Sequence, residues 1–402
     1  MINDQEIKIS FTGDVMCEFT RLKDFKVDTG FDFVPLFESC KYLFSKSDYV
    51  VANLETPVAG ASMEYSFKDY NFNTPEQLLD AMVESGITMV TTANNHVLDR
   101  GVEGLDRTID NIVAAGLEYT GTSKNGKRNT PLIKELNGIR IGFISYTYGT
   151  EACYNMNYLK HQDFYRVNLL QNQELYNPII RYIVRSNSIV AKILRLPIRI
   201  INPNFFKRGI EEYPQSSKKQ KRIILDDIDY CKKQQVDMII ACLHFGGQFN
   251  DEPTSYSKET ADFFFKSGVD IIVGNHEHLI QKGMFGEDDN KIAYCLGNFT
   301  SNYAIDREPY DKEAQCSIVL HLYISKDHKG INCRYAFSVM LSVKEKDKIV
   351  TKLLYDEWLI CSDDDRKREL CLLNQKCIQR FTGKKNLASI EPKFEYMYEE
   401  FV

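Results

Sequence analysis

The sequence predicts an α/β fold built on a layered sheet. Three observations lead there. Short apolar runs of strand length alternate with amphipathic segments of helix length. The runs at 237–243 and 269–274 are almost continuously apolar, as strands covered on both faces are. The polar residues that follow the strand-length runs are of one chemical kind, namely Asp, Glu, Asn and His.

Residues 6–12 form the first strand, which ends at Gly13-Asp14, and residues 49–53 form a second that ends at Leu54-Glu55. Segment 74–86 reads as a helix: Thr74 is placed to cap it, Pro75 suits the first helical position and Gly86 ends it. Strand 87–93 runs into Asn94-Asn95-His96, and a helix over 102–115 stops at Gly116. The rhythm resumes with a helix at 218–235, a strand at 237–243, a helix at 254–267 and a strand at 269–274. Three strand-like runs between 315 and 360 (SIVLHLYI, RYAFSVML and KIVTKLLYDEWL) suit an antiparallel extension, and 364–381 reads as helix. The expected organisation is one domain over 1–360, interrupted by an insertion at 151–217, with a helical extension at 361–402.

Composition narrows the function. The 402 residues are 43% hydrophobic and 26% charged, an ordinary globular balance, and the net charge of -6 argues against a general nucleic-acid binder. The opening MINDQEIKISFTGD lacks the apolar core of a signal peptide, and no run of about 20 apolar residues follows. A cytoplasmic protein is expected, peripheral at the membrane in one reading of the insertion. The 11 cysteines are odd in number and form no CxxC pair, so reduced thiols are expected, with Cys242 and Cys295 in the core.

In open α/β sheets the carboxyl ends of the strands gather at one edge, where ligands bind. Asp14, Glu55, Asn95, His96, His244, His276 and His278 all follow strands and are expected to meet there. Imidazole together with carboxylate suits zinc, iron or manganese, whereas an all-oxygen set suits magnesium or calcium. A carboxylate can also bridge two cations about 3.5–4 Å apart, and Glu55 is the candidate bridge. Asn94 either forms a turn or faces the substrate. Asp99 either orders the start of the following helix, orients His96, or takes part in the chemistry. Tyr146, Thr147 and Tyr148 follow a strand and either line the pocket or pack.

Seven blocks then carry a family resemblance: FTGDVM (11–16), VANLETPVAG (51–60), TTANNHVLDRGVEGL (91–105), GIRIGFISYTYGT (138–150), CLHFGGQF (242–249), IIVGNHEHLIQKG (271–283) and AYCLGNFTSN (293–302). In this order they resemble the CapA family, associated with poly-γ-glutamate capsule synthesis. CapA-like domains resemble calcineurin-like metallophosphoesterases, so the resemblance implies a layered α/β/β/α sandwich with an inserted basic cap. It also implies a site for two divalent cations (Mn, Fe or Zn). Asp14 and His278 would bind the first, Asn95, His244 and His276 the second, and Glu55 would replace the usual bridging aspartate. His96 would stay off the metals and serve as general acid or as an electrostatic partner for the leaving group, with Asp99 beside it. Asn298 and Thr300 would support the site from behind, and Asn94, Tyr146, Tyr148 and Asn298 are the candidates to contact substrate.

Two departures stand out. Asp14-Val15-Met16 lacks the histidine that the wider pattern has two residues after the aspartate, leaving Cys17 or Glu18 as the nearest replacements. Glu277, between the two spaced histidines, adds a charge that the pattern lacks. The implied function is a metal-dependent hydrolase acting on a phosphoester or amide in capsule or related envelope-polymer metabolism. Its partners would be an anionic polymer or phosphorylated substrate and a membrane-associated capsule machinery. The alternatives are a non-catalytic, polyanion-binding accessory protein and a general phosphoesterase.

The insertion is strongly basic. Residues 180–222 hold eleven Lys/Arg against two Glu, and Pro197 is expected to break any single helix there. Three readings stay open: a cap packed over the crevice, a basic lid that attracts a polyanion, and a segment that touches anionic lipid.

Overall fold

The computed structural model describes residues 6–67, 71–171, 183, 186, 188–201, 218–287, 289–300, 312–385, 387–388 and 390–401. In chain order its strands are β1 (Ile7–Val15), β2 (Lys26–Val27), β3 (Gly30–Phe31), β4 (Tyr49–Leu54), β5 (Met89–Thr91), β6 (Glu118–Thr120), β7 (Leu132–Leu136) and β8 (Ile139–Thr147). There follow β9 (Met238–His244), β10 (Ile271–Asn275), β11 (Gly283–Met284), β12 (Lys291–Ala293), β13 (Cys316–Asp327), β14 (Gly330–Glu345), β15 (Lys348–Leu353) and β16 (Tyr396–Met397). The longer helices are α1 (Gln77–Ser85), α2 (Gly101–Ala114), α3 (Ile189–Ile201), α4 (Lys218–Lys233), α5 (Ser255–Ser267), α6 (Leu354–Ile360) and α7 (Asp364–Thr382).

One sheet has the order β15-β14-β13-β1-β4-β5-β6, with β16 added to β14. The other runs β11-β12-β10-β9-β8-β7, and β2 and β3 form a separate hairpin. Strands β1, β4, β5 and β6 are parallel, as are β8, β9, β10 and β12. The expected antiparallel extension is β13, β14 and β15.

Burial shows four layers. Ile7, Ile9 and Phe11 of β1 share an apolar cluster with Ile141 and Phe143 of β8 and Ile240 of β9, so the two sheets face one another. The outer face of the first sheet (Val50, Ala52, Val90) packs on Leu78 and Met82 of α1 and Ile112 of α2. The outer face of the second (Ile144, Ile239, Ile272) packs on Ile228 of α4 and Phe264 of α5. This is the α/β/β/α sandwich, and it explains the continuously apolar strands: each has cover on both sides.

Several expectations need amending. Thr74 does not cap α1; its hydroxyl pairs with that of Thr56 at 2.9 Å, and the helix starts at Gln77 without a side-chain cap. Pro197 does not break the chain's helicity. Helix α3 runs through it, because the carbonyl that loses its donor belongs to Ile193 on an exposed face, where solvent can supply another. The run KIVTKLLYDEWL is strand only to Leu353 and then turns into α6. Segment 361–402 supplies α7, whose Leu370, Cys377, Ile378 and Phe381 enter the central cluster, and also strand β16. Much of the basic insertion, including 172–182 and 202–217, lies outside the described residues. Cys242 and Cys295 are buried and free, as expected of core thiols.

Candidate metal centre

Parallel strands of both sheets end at one crevice. Asp14 sits near the end of β1, where the register to β4 shifts. Here β1 is pressed against the Leu296–Thr300 segment: Asp14 donates its N–H to Gly297 O at 3.0 Å and accepts from Phe299 N at 2.9 Å. A Cβ on Gly13 would lie 2.0 Å from Gly297 O, so no side chain fits there. Glu55, the residue after β4, is tied to β1 through its N–H to Val15 O at 2.9 Å. His244 ends β9, and His276 and His278 follow β10.

These side chains meet. Asp14 Oδ2 lies 3.3 Å from His278 Nδ1 and accepts from the His276 N–H at 3.2 Å. His244 Nε2 lies 2.8 Å from Asn95 Oδ1, 3.1 Å from His276 Nδ1 and 3.3 Å from Glu55 Oε1. His278 Nε2 is 3.9 Å from the same Glu55 oxygen. All six are buried. Ligand atoms of Glu55, His276 and His278 fall within 4.8 Å of one another.

His276 and His278 hold φ angles of 105° and 60°, in the left-handed region that non-glycine residues avoid. Each such residue costs about 1–3 kcal/mol and persists only where surrounding structure enforces it. The turn thereby sends both imidazoles into the crevice. Glu277 between them points the other way, beneath Gly246. A Cβ on Gly246 would lie 1.9 Å from Glu277 Oε1, and Gly246 itself has φ +103°.

The electrostatics follow from burial and like charge. Burial, then the Asp14 carboxylate, pushes the Glu55 pKa well above the usual carboxylate range. Burial holds His244 down at about 3 and His276 well below its ordinary value, so both are neutral. Burial works against charge on His278 as well, but Glu55 and Asp14 outweigh it and hold the pKa at about 9. Asp14 is penalised by burial yet ends below its ordinary value because of His278. The proton on His278 thus balances charge that a cation would balance.

The residues themselves test the fit to a metal. Neither oxygen of Glu55 has a hydrogen-bond donor of acceptable geometry, and the Asn95 Nδ2 is likewise unsatisfied. Two neutral imidazoles, a carboxylate with open lone pairs and an amide oxygen form a nitrogen–oxygen donor set of the zinc, iron or manganese kind. They fit a divalent cation, which Glu55, His276 and His278 would hold first, with His244, Asn95 and Asp14 alongside.

His96 stands beside this cluster. Its Nδ1 lies 3.0 Å from Asp99 Oδ2, and the edge of Phe72 meets its ring at 4.7 Å. Burial would lower its pKa, but the charge and hydrogen bond of Asp99, followed by Glu55, raise it. Asp99 also accepts from Phe72 N at 2.9 Å and from Asn155 Nδ2 at 3.1 Å.

The remaining predicted residues are placed as follows. Asn94 spends its amide on Leu54 O at 2.7 Å and accepts from His96 N at 3.0 Å, which shapes the loop that carries Asn95 and His96. Asn298 lies 2.9 Å from His278 Nδ1, and Thr300 bonds both backbone atoms of Met16. Tyr148 lays its ring 4.6 Å from that of His276. Tyr146 is not brought to the crevice; it is buried against Phe264, with its hydroxyl donating to Asp227 and accepting from Arg128. Cys17 does not compensate for the missing histidine. It packs in the apolar cluster under the helices, and burial raises its pKa strongly, keeping the thiol protonated.

Sequence reasoning missed three residues. Asn53 donates to Asp14 Oδ1 at 2.7 Å and lies 3.2 Å from His244 Nδ1. Its signal was available: an amide inside an apolar strand, two residues before Glu55 and so on the same face. Of the two that hold Asp99, Phe72 lies in an irregular segment and Asn155 ends a four-residue helix (Ala152–Asn155), and neither stretch carries a pattern to single them out.

Fold and site together define a calcineurin-like α/β sandwich with a buried carboxylate–histidine centre at the ends of its strands. The chain belongs to the family described as bacterial capsule synthesis protein PGA_cap, which matches residues 8–303. Among curated proteins it is similar to the capsule biosynthesis protein CapA of Bacillus anthracis, at 23% identity over 74% of this chain and 60% of that protein. It is also similar to the PGA biosynthesis protein CapA of Bacillus subtilis (strain 168), at 21% identity over 74% of this chain and 64% of that one. The matched region spans less than two thirds of either relative's length.

Proposed function

We propose that this chain is a metal-dependent hydrolase that cleaves a phosphoester or amide bond in a capsular or related envelope polymer. The observation that carries the proposal is the buried Glu55 carboxylate, without hydrogen-bond donors, facing His244, His276 and His278, with the His96–Asp99 pair alongside. A bound divalent cation supplies Lewis-acid polarisation and water activation. The protein's own part is positional. Asp14 and Asn298 orient His278, and Asn53 and Asn95 orient His244. Asp99 holds the proton on His96 Nδ1 and leaves Nε2 to deliver one to a leaving group. The cytoplasmic or membrane-peripheral setting and the number and identity of the cations belong to the same proposal.

A second reading is a polyanion-binding accessory protein without turnover. Met16 favours it, since the position that would carry a further ligand holds a buried thioether. Metal analysis of the purified chain, combined with a panel of phosphodiesters and γ-glutamyl peptides, separates the two. Bound metal with turnover supports the hydrolase. Neither metal nor turnover, with polyanion binding retained, leaves the accessory reading.

A further inference from the structure

Helix α3 is amphipathic in an inverted sense. Ile189, Ile193, Leu196 and Ile200 recur at helical spacing and form one stripe, and that stripe faces solvent: they are 76%, 58%, 57% and 80% exposed. Val190 and Leu194 widen it and are exposed too, whereas Ala191 is buried. A core helix would show the opposite. Ser188 accepts from Ala191 N at 3.1 Å at the helix start, and Arg195 donates to Ile183 O and Ser186 O at 2.6 Å, so the helix is fastened on its other side.

Charge selects what covers the stripe. Lys192 is exposed and borders the apolar face, and no Asp or Glu occurs between Glu174 and Glu211. A second copy meeting it isologously would set like charges against each other. An anionic surface would not. Thirteen residues at about 1.5 Å each are too few to cross a bilayer, and no helix among the described residues is long and apolar enough to do so. Large apolar side chains beside a basic residue, in a segment free of acids, are what a helix lying in a headgroup layer carries.

We propose that α3 docks this protein on an anionic lipid surface, with Ile189, Ile193, Leu196 and Ile200 inserted at the acyl boundary and Lys192 among the headgroups. Nothing in this placement depends on turnover at the metal centre.

The test is co-sedimentation of the full chain with phosphatidylcholine vesicles and with vesicles in which about a third of the lipid is phosphatidylglycerol. The chain should pellet with the anionic vesicles only, and high salt should weaken binding by about fivefold per basic residue engaged. Ile193→Asp together with Ile200→Asp should lower the partition by about 10²–10⁴-fold, the value of burying two large aliphatic side chains. Both residues are exposed, so folding, followed by circular dichroism, should be unchanged. Lys192→Glu should weaken anionic binding and leave the thermal melt as it was. No binding to anionic vesicles, or binding equal in the double variant, overturns the proposal. So does a stable dimer in sedimentation equilibrium that the double variant dissolves, because the stripe then belongs to a second copy. Binding of soluble poly-γ-glutamate that competes fully with vesicles and ignores the isoleucine substitutions overturns it as well.

Discussion

Glu55 offers a measurement that does not require a substrate. Both its oxygens are buried without donors, and Asp14 is the charge that most disfavours its ionisation. A buried polar group left unsatisfied costs about 1–3 kcal/mol. Glu55→Gln keeps the volume and removes the charge. With metal stripped by chelator, the variant should therefore be more stable than the wild type at neutral pH by about 1–3 kcal/mol, or ~1–4 °C in Tm. Adding Mn2+ should reverse the order. A ligand at 100 times its Kd stabilises by ~2.7 kcal/mol, which the wild type should gain and the variant largely forgo. The assay is urea or thermal unfolding of both proteins, chelated and Mn2+-loaded. A chelated variant less stable than chelated wild type, or an equal gain from Mn2+ in both, refutes the assignment of Glu55 as a ligand-competent carboxylate.

Other expectations concern separate parts of the molecule. His276→Ala should lower bound metal without unfolding the chain; elemental analysis showing unchanged stoichiometry would count against its role. His96→Ala should retain metal and slow turnover by about 10²–10⁴-fold, and Asp99→Asn should slow it as well because it no longer fixes the His96 proton; the measurement is kcat beside metal content. His321, between Ser10 and Ser338 and far from the crevice, is held well below its ordinary pKa by burial and then by Lys8. Unfolding therefore takes up a proton below about pH 6.5, and stability should fall there by ~1.4 kcal/mol per pH unit. His321→Asn removes that contribution, so parallel slopes for variant and wild type in urea titrations across pH 5–7 would contradict it.

The fold and half the site were legible for one physical reason. A doubly covered parallel strand must be apolar along its length, so the first polar residue after it stands out. Glu55, His244 and the His276–His278 pair were found that way, whereas Asp14 follows a strand that holds Lys8, Ser10 and Thr12 and was found from its place after Gly13 at the strand's end. Asn53 was passed over because a single amide within an apolar strand reads as part of the strand, although its place two residues before Glu55 marked it as sharing that residue's face. Tyr146 and Tyr148 share a parity that suggests one common face. The strand ends at Thr147, however, so Tyr148 leaves the alternation and reaches His276 while Tyr146 stays with the helices. Pro197 misled because a helix-breaking residue is judged from an interior helix, and α3 has an exposed face where the lost donor is replaceable.

The accessory reading must also account for where local rules are broken. Two histidines carry positive φ, and a carboxylate and an amide lack partners, all around a single point. At about 1–3 kcal/mol for each strained residue and a similar amount for each orphaned group, these features oppose folding by several kcal/mol. A domain's net stability is only about 5–15 kcal/mol. A polyanion held by surface lysines and arginines would relieve none of this, because it touches neither the strained turn nor Glu55. A cation between Glu55, His276 and His278 would relieve the carboxylate directly and make the strained turn useful. Metal-dependent stability measured on wild type and Glu55→Gln therefore bears on function even where no substrate is known. A chain whose stability ignores divalent metal would have to carry these costs uncompensated, and the accessory reading would then be the better one.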